Sequence, residues 1–175
     1  MSIKFIILGC GSSMGVPRPD GFFGNCDPKN KKNQRTRCSA LIKFHNKNIL
    51  IDSSPDLRQQ LLANKIKSID RVLYTHLHAD QTHGINDLRA FYLITKKQIP
   101  VFADKQTSEY LKSTFNYCFK STIEYPSTLI LNKIQASMIS RPLFISVDES
   151  TLILFPIFHF GCVIASLGVI FFNSE

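Results

Sequence analysis

The sequence predicts an α/β layered fold, and three observations carry that expectation. Short β-branched runs alternate with helical segments from Ile3 to Phe119. From Leu129 onward the chain reads as strands with no helix. Apolar residues make up 44 % and charged residues 19 % of the 175, enough for a core and too few charges for wholesale disorder. The length suits one domain, 1–175.

The elements follow in order. Ile3 to Leu8 is a β-branched run ended by Gly9-Cys10-Gly11-Ser12-Ser13, hence a strand and then a tight turn. A polar loop punctuated by Pro17, Pro19, Gly21, Gly24 and Pro28 runs to about Arg37. Ala40–Phe44 and Asn48–Asp52 read as a hairpin turning at His45-Asn46-Lys47. Ser54, Pro55 and Asp56 supply a cap, a first-turn proline and a dipole-matched acid, so a helix starts there and ends near Asn64. A strand over Arg71–Thr75 feeds His76. Helices are expected over Ile85–Ile94 and Thr107–Phe119, with a strand Ile99–Phe102 between them.

Charge and cysteine content narrow the class. Lys and Arg number 21 against 13 Asp and Glu, a net +8 that favours anionic partners. The five cysteines (10, 26, 38, 118 and 162) are odd in number, widely spread and without a CxxC pair. A disulfide framework or zinc ribbon is therefore not expected, and the cytoplasm is the natural compartment. Cys10, Cys38, Cys118 and Cys162 read as small buried fillers. Leu152 to Phe172 carries no formal charge over 21 residues, long enough for a membrane span. Pro156, His159, Gly161 and Gly168 inside it and the absence of basic anchors favour two strands joined by a short turn, with no membrane partner.

The chemistry concentrates in Thr75-His76-Leu77-His78-Ala79-Asp80-Gln81-Thr82-His83-Gly84. Three of the five His and one Asp fall directly after a strand. Alternation at a strand end turns His76 and His78 to one side, and Asp80 adds an oxygen donor. Neutral imidazole with carboxylate suits zinc, and also manganese or iron.

His-x-His-x-Asp after a buried strand resembles the metal motif of the metallo-β-lactamase-fold hydrolases. Gly9–Ser13, Val16-Pro17-Arg18, Cys26-Asp27-Pro28 with Asn33 to Ser39, Asp52–Arg58 and Gly84–Arg89 resemble the branch containing the phosphoribosyl cyclic phosphate phosphodiesterases, which is related to the tRNA 3′-processing nucleases. His159-Phe160-Gly161 resembles the next family motif. The resemblance implies an αββα sandwich with its second half incomplete in a C-terminally truncated domain. It implies His76, His78 and His159 as ligands of a first Zn²⁺ (or Mn²⁺), Asp80 as a catalytic residue and second-metal ligand, and Asp52 bracing the metal loop. The implied reaction is attack of metal-bound hydroxide on a small phosphodiester.

Departures from the pattern leave alternatives open. Gln81 stands where the family has a His ligand, Asn86 where Asp is usual, and Met14 where a small residue is usual. His83 is a candidate substitute ligand. One metal site is favoured over two. The alternatives are a catalytically impaired remnant that binds one metal or none, and a basic RNA-associating module drawing on Lys29, Lys31, Lys32, Arg35 and Arg37. The apolar C-terminal strand, left uncovered, predicts self-association.

Overall fold

The computed structural model describes residues 3–134, 143–147, 150–157 and 166–172. The chain divides into two compact units, Met1–Lys133 and Ile134–Glu175. The first holds a six-stranded mixed sheet made of β1 (Lys4–Gly9), β2 (Ser39–Phe44), β3 (Lys47–Ile51), β4 (Arg71–Leu73), β5 (Ile99–Ala103) and β6 (Leu129–Lys133). Their spatial order equals their sequence order. β1, β2 and β3 are antiparallel neighbours, whereas β3, β4, β5 and β6 run parallel.

The change of direction follows from the connections. His45 and Asn46 take φ of 44° and 59°, the left-handed pair a tight two-residue hairpin needs, so β2 and β3 fold back on each other. Each later link carries a helix, and a crossover of that kind returns the chain parallel. α1 (Leu57–Ala63) lies between β3 and β4. Between β4 and β5 come α2 (Ala79–Thr82), a 3-10 turn Ile85–Leu88 and α3 (Arg89–Thr95). α4 (Lys105–Thr114) and α5 (Asn116–Phe119) precede β6.

Leu50, Val72 and Val101 are fully buried on adjacent parallel strands and pack with Leu57, Leu88 and Leu111 from the helical links. Each such side chain contributes roughly 1.5–3 kcal/mol on leaving water. The second unit is an antiparallel meander of β7 (Leu143–Val147), β8 (Ser150–Ile157) and β9 (Ser166–Phe172). The uncharged C-terminal stretch thus forms two paired strands, with Leu152 opposite Phe171 and Leu154 opposite Val169. No helix among the described residues is long and apolar enough to cross a membrane.

Several local expectations are corrected. α1 begins at Leu57, because Asp56 is drawn into a bidentate pair with Arg37 while Ser54 Oγ accepts from the Asp56 N–H. The helix expected over 85–94 opens as a 3-10 turn. The helix expected over 107–119 starts earlier, where the Asp104 carboxylate accepts from the Thr107 N–H, and breaks at Phe115. Phe115 is buried, with its ring edge-on to His83 and Tyr110, so tertiary packing overrides local helix preference. Cys118 is buried as expected, Cys38 is half-buried and Cys10 is exposed. Cys10 lies beyond the end of β1, where the turn faces solvent, and Cys162 lies outside the described residues.

Candidate metal centre at the ends of the parallel strands

Parallel registry builds the site. Ile51 pairs with Leu73, and Leu73 with Phe102, so the carboxyl ends of β3, β4 and β5 finish level. Ligand sites of open α/β sheets gather at such ends. The first residue past β3 is Asp52, whose N–H donates to the Leu73 carbonyl at 2.8 Å. Asp52 adopts φ of 57°, an uncommon conformation for a non-glycine residue and one that surrounding contacts must hold. Its carboxylate accepts from the Thr75 N–H at 2.8 Å through Oδ1 and from the Thr75 hydroxyl at 2.7 Å through Oδ2.

Thr75 carries the arrangement onward. Its single hydroxyl proton goes to Asp52, so toward His76 Nδ1, 2.9 Å away, Oγ1 can only accept. That network assigns the proton of His76 to Nδ1 and leaves the Nε2 lone pair unprotonated. Burial lowers the His76 pKa, and the neighbouring His78 lowers it further against a smaller opposing pull from Asp80. A neutral imidazole is the form a metal needs. The rings of His76 and His78 stand edge to face with centroids 4.7 Å apart.

The 52–54 segment and the 81–84 segment lock together. The Ser53 N–H donates to the Gln81 carbonyl at 2.7 Å, and the Gly84 N–H to the Ser53 carbonyl at 2.8 Å. Ser53 Oγ lies 2.6 Å from Tyr74 Oη and donates to the Thr82 carbonyl, all of it buried. A Cβ on Gly84 would fall 2.0 Å from the Ser54 carbonyl oxygen and 2.9 Å from Leu57 Cβ, so only glycine permits this approach. The loop that presents the His residues is thereby pinned to the start of α1.

Gln81, only 5 % exposed, donates its amide N–H to Asp80 Oδ2 at 2.9 Å. Because a carboxylate only accepts, the amide nitrogen and not its oxygen must face Asp80. His83 is exposed, its ring rests edge-on against Phe115, and Nδ1 lies 3.1 Å from Thr82 Oγ1. Among the described residues no group of three or more His, Cys, Asp and Glu is gathered as a metal cage. His159 lies outside the described residues. The donors that are described, two adjacent imidazoles and a nearby carboxylate, have the chemistry of a borderline divalent cation.

Burial pushes the Asp52 carboxyl up to about 7 against the opposing Thr75 hydrogen bonds, with the Asp80 charge adding to the rise. The nearby Arg37–Asp56 pair shows the reverse case, the guanidinium holding Asp56 below the usual carboxylate range. Thr75 heads the His-rich segment and Arg37 lies within Asn33 to Ser39, but neither residue's hydrogen-bond partner is written in the local sequence. A hydroxyl residue placed between a strand and the first His is the one signal that could have found Thr75.

This mixed sheet with a His-x-His-x-Asp loop at the ends of its parallel strands is a metallo-β-lactamase fold. Residues 47–159 match the family described as Beta-lactamase superfamily domain, and the chain belongs to it. The chain is 29 % identical to a diphosphatase of the PhnP family whose crystal structure superposes with a TM-score of 0.75, covering 98 % of this chain and 62 % of that one. Zn²⁺-bound PqqB of Methylobacterium extorquens shares the fold at 18 % identity and a TM-score of 0.63, over 88 % and 52 % of the two chains. Among curated proteins, an octanoyltransferase of Porphyromonas gingivalis is 37 % identical over 130 residues, 74 % of this chain and 26 % of that protein. A ribonuclease Z of Clostridium kluyveri is 29 % identical over 84 residues, 47 % and 22 % of the two. The chain thus spans about a quarter of the length of these curated relatives.

Proposed function

We propose that this chain is a metal-dependent hydrolase of phosphate esters, acting on a small phosphodiester. The observation that carries the reading is the Asp52–Thr75–His76 relay, which leaves one ring nitrogen of His76 free beside His78. The likenesses to a diphosphatase and to a ribonuclease Z support phosphate esters as the substrate class. PqqB, which shares the fold, is zinc-bound, and the paired imidazoles with a carboxylate suit Zn²⁺ or Mn²⁺ here.

In this reading His76 and His78 would hold the cation, with His159, outside the described residues, as the third ligand that the family resemblance implies. Bound there, it supplies a water acidified to a pKa of about 7 and a positive charge for the phosphoryl oxygens. The protein's own work is orientation. Asp52 fixes Thr75, Thr75 fixes the tautomer and rotation of His76, and Gln81 steadies Asp80 through Oδ2. Asp80 Oδ1 accepts no hydrogen bond among the described residues, and in this reading it takes a proton or a cation contact. Gln81 gives its amide N–H to Asp80 and offers only a neutral carbonyl oxygen where the family has an imidazole, so one cation per chain is proposed.

The test is hydrolysis of bis(4-nitrophenyl) phosphate by metal-loaded protein. Zinc- or manganese-dependent turnover that disappears in His76→Ala and His78→Ala supports the proposal. Stoichiometric metal without turnover on phosphodiesters would leave the impaired-remnant reading instead.

A further inference from the structure

Opposite the start of α1, the long β1–β2 loop closes around a cleft of about 490 Å³, within the range of small-ligand sites. The loop is held by backbone pairing. Arg35 N–H donates to the Val16 carbonyl at 2.8 Å, Val16 N–H returns the bond to Arg35 at 2.9 Å, and Gly11 N–H donates to Thr36. Gly15, at φ of 78°, makes the reversal that brings these segments face to face. The backbone therefore fixes the loop without using the side chains of Lys31 and Arg35.

Those side chains are strongly biased. Lys31, Arg35 and Arg37 line the cleft with Gln34 and Gln59, and Asp56 is the one acid among the lining residues. Asp56 is already committed: it takes both the N–H and the guanidinium of Arg37. Lys31 and Arg35 are exposed and form no ion pair among the described residues. Two cations unpaired among the described residues, the remaining donors of Arg37 and two amide side chains thus line one concave surface.

The structure assigns this cleft, we infer, as a binding site for a small phosphate-class anion, with Lys31 and Arg35 as its principal contacts. A planar guanidinium matches phosphoryl oxygens in bidentate fashion, and an ammonium adds a point charge. The site stands apart from the metal reading, since none of its lining residues is a proposed ligand, and it is tested with the metal removed.

The experiment titrates inorganic pyrophosphate into the full chain in EDTA, by calorimetry, for wild type and two double variants. Lys31→Ala/Arg35→Ala removes the two cleft cations. Lys29→Ala/Lys32→Ala removes the same charge from exposed positions of the same loop that do not line the cleft. Because the Arg35 pairing with Val16 is made by backbone atoms, the side-chain truncation spares the loop; Lys31→Gln/Arg35→Gln serves if the alanine pair unfolds. The expected result is saturable binding weakened about tenfold or more by the cleft pair, and by no more than about twofold by the control pair. Absence of binding to wild type, or equal losses in both pairs, overturns the assignment.

Discussion

Thr75→Val is the perturbation that reaches the candidate centre through the smallest change in shape. Valine keeps the β-branched form and the backbone N–H that donates to Asp52 Oδ1, and deletes only the hydroxyl. Two contacts vanish, the 2.7 Å donation to Asp52 Oδ2 and the 2.9 Å acceptance from His76 Nδ1. Asp52 is 5 % exposed, so water cannot freely replace the lost donor. Above the raised pKa of Asp52, at pH 8, removing a hydrogen bond to this buried carboxylate costs about 1.5–3 kcal/mol, so unfolding in urea there should show a loss of that size. Freed from Thr75, His76 loses its fixed tautomer and rotation. Loss of support of this kind weakens metal affinity by about 10–100-fold. Zinc affinity is read by competition with a chelating dye, using Thr75→Ser as the rescue because serine retains the hydroxyl. Near-wild-type affinity in Thr75→Val, or no recovery in Thr75→Ser, would refute the relay.

Two further outcomes are expected. Asp52 has a folded pKa raised from 3.8 to about 7, so between these values the folded state binds more protons than the unfolded one. Its contribution is therefore fully present below about pH 4 and is lost as pH rises toward 7, by up to about 4 kcal/mol, while Asp56, held low by Arg37, runs the opposite way. Measured in EDTA between pH 5 and 8, the stability of Asp52→Asn relative to wild type should rise with pH; a flat difference would contradict the burial argument. Gly84→Ala should destabilise by about 1–3 kcal/mol in chemical denaturation, because its Cβ would strike the Ser54 carbonyl at 2.0 Å; an unchanged midpoint would show that the 53–54 segment yields freely.

How much of this was legible beforehand differs by element, for physical reasons. β1, the hairpin and the strand before His76 were visible because β-branched runs bounded by glycine and turn residues leave few alternatives. The His-x-His-x-Asp loop was visible because its residue types are scarce and closely spaced. The break at Phe115 was not, since nothing in Ser113-Thr114-Phe115-Asn116 stops a helix; contacts of the Phe115 ring do so. Cys10 was misjudged because its composition suits a core while its position past β1 faces solvent. Thr75 was hidden for a different reason. Its role depends on parallel pairing of β3 with β4, a contact across more than twenty residues of sequence that no local pattern encodes. The cleft behind Arg35 was half visible: the basic run could be read, but not that Lys31, Arg35 and Arg37 line a cavity while Lys29 and Lys32 do not.

The central claim is that His76 and His78 hold a divalent cation, and metal content per chain tests it most directly. Elemental mass spectrometry on protein dialysed without chelator should find about one equivalent, reduced to background in His76→Ala/His78→Ala with the fold retained by circular dichroism. Metal-free protein that is well folded and takes up no zinc on reconstitution, or a double variant with unchanged stoichiometry, would contradict it.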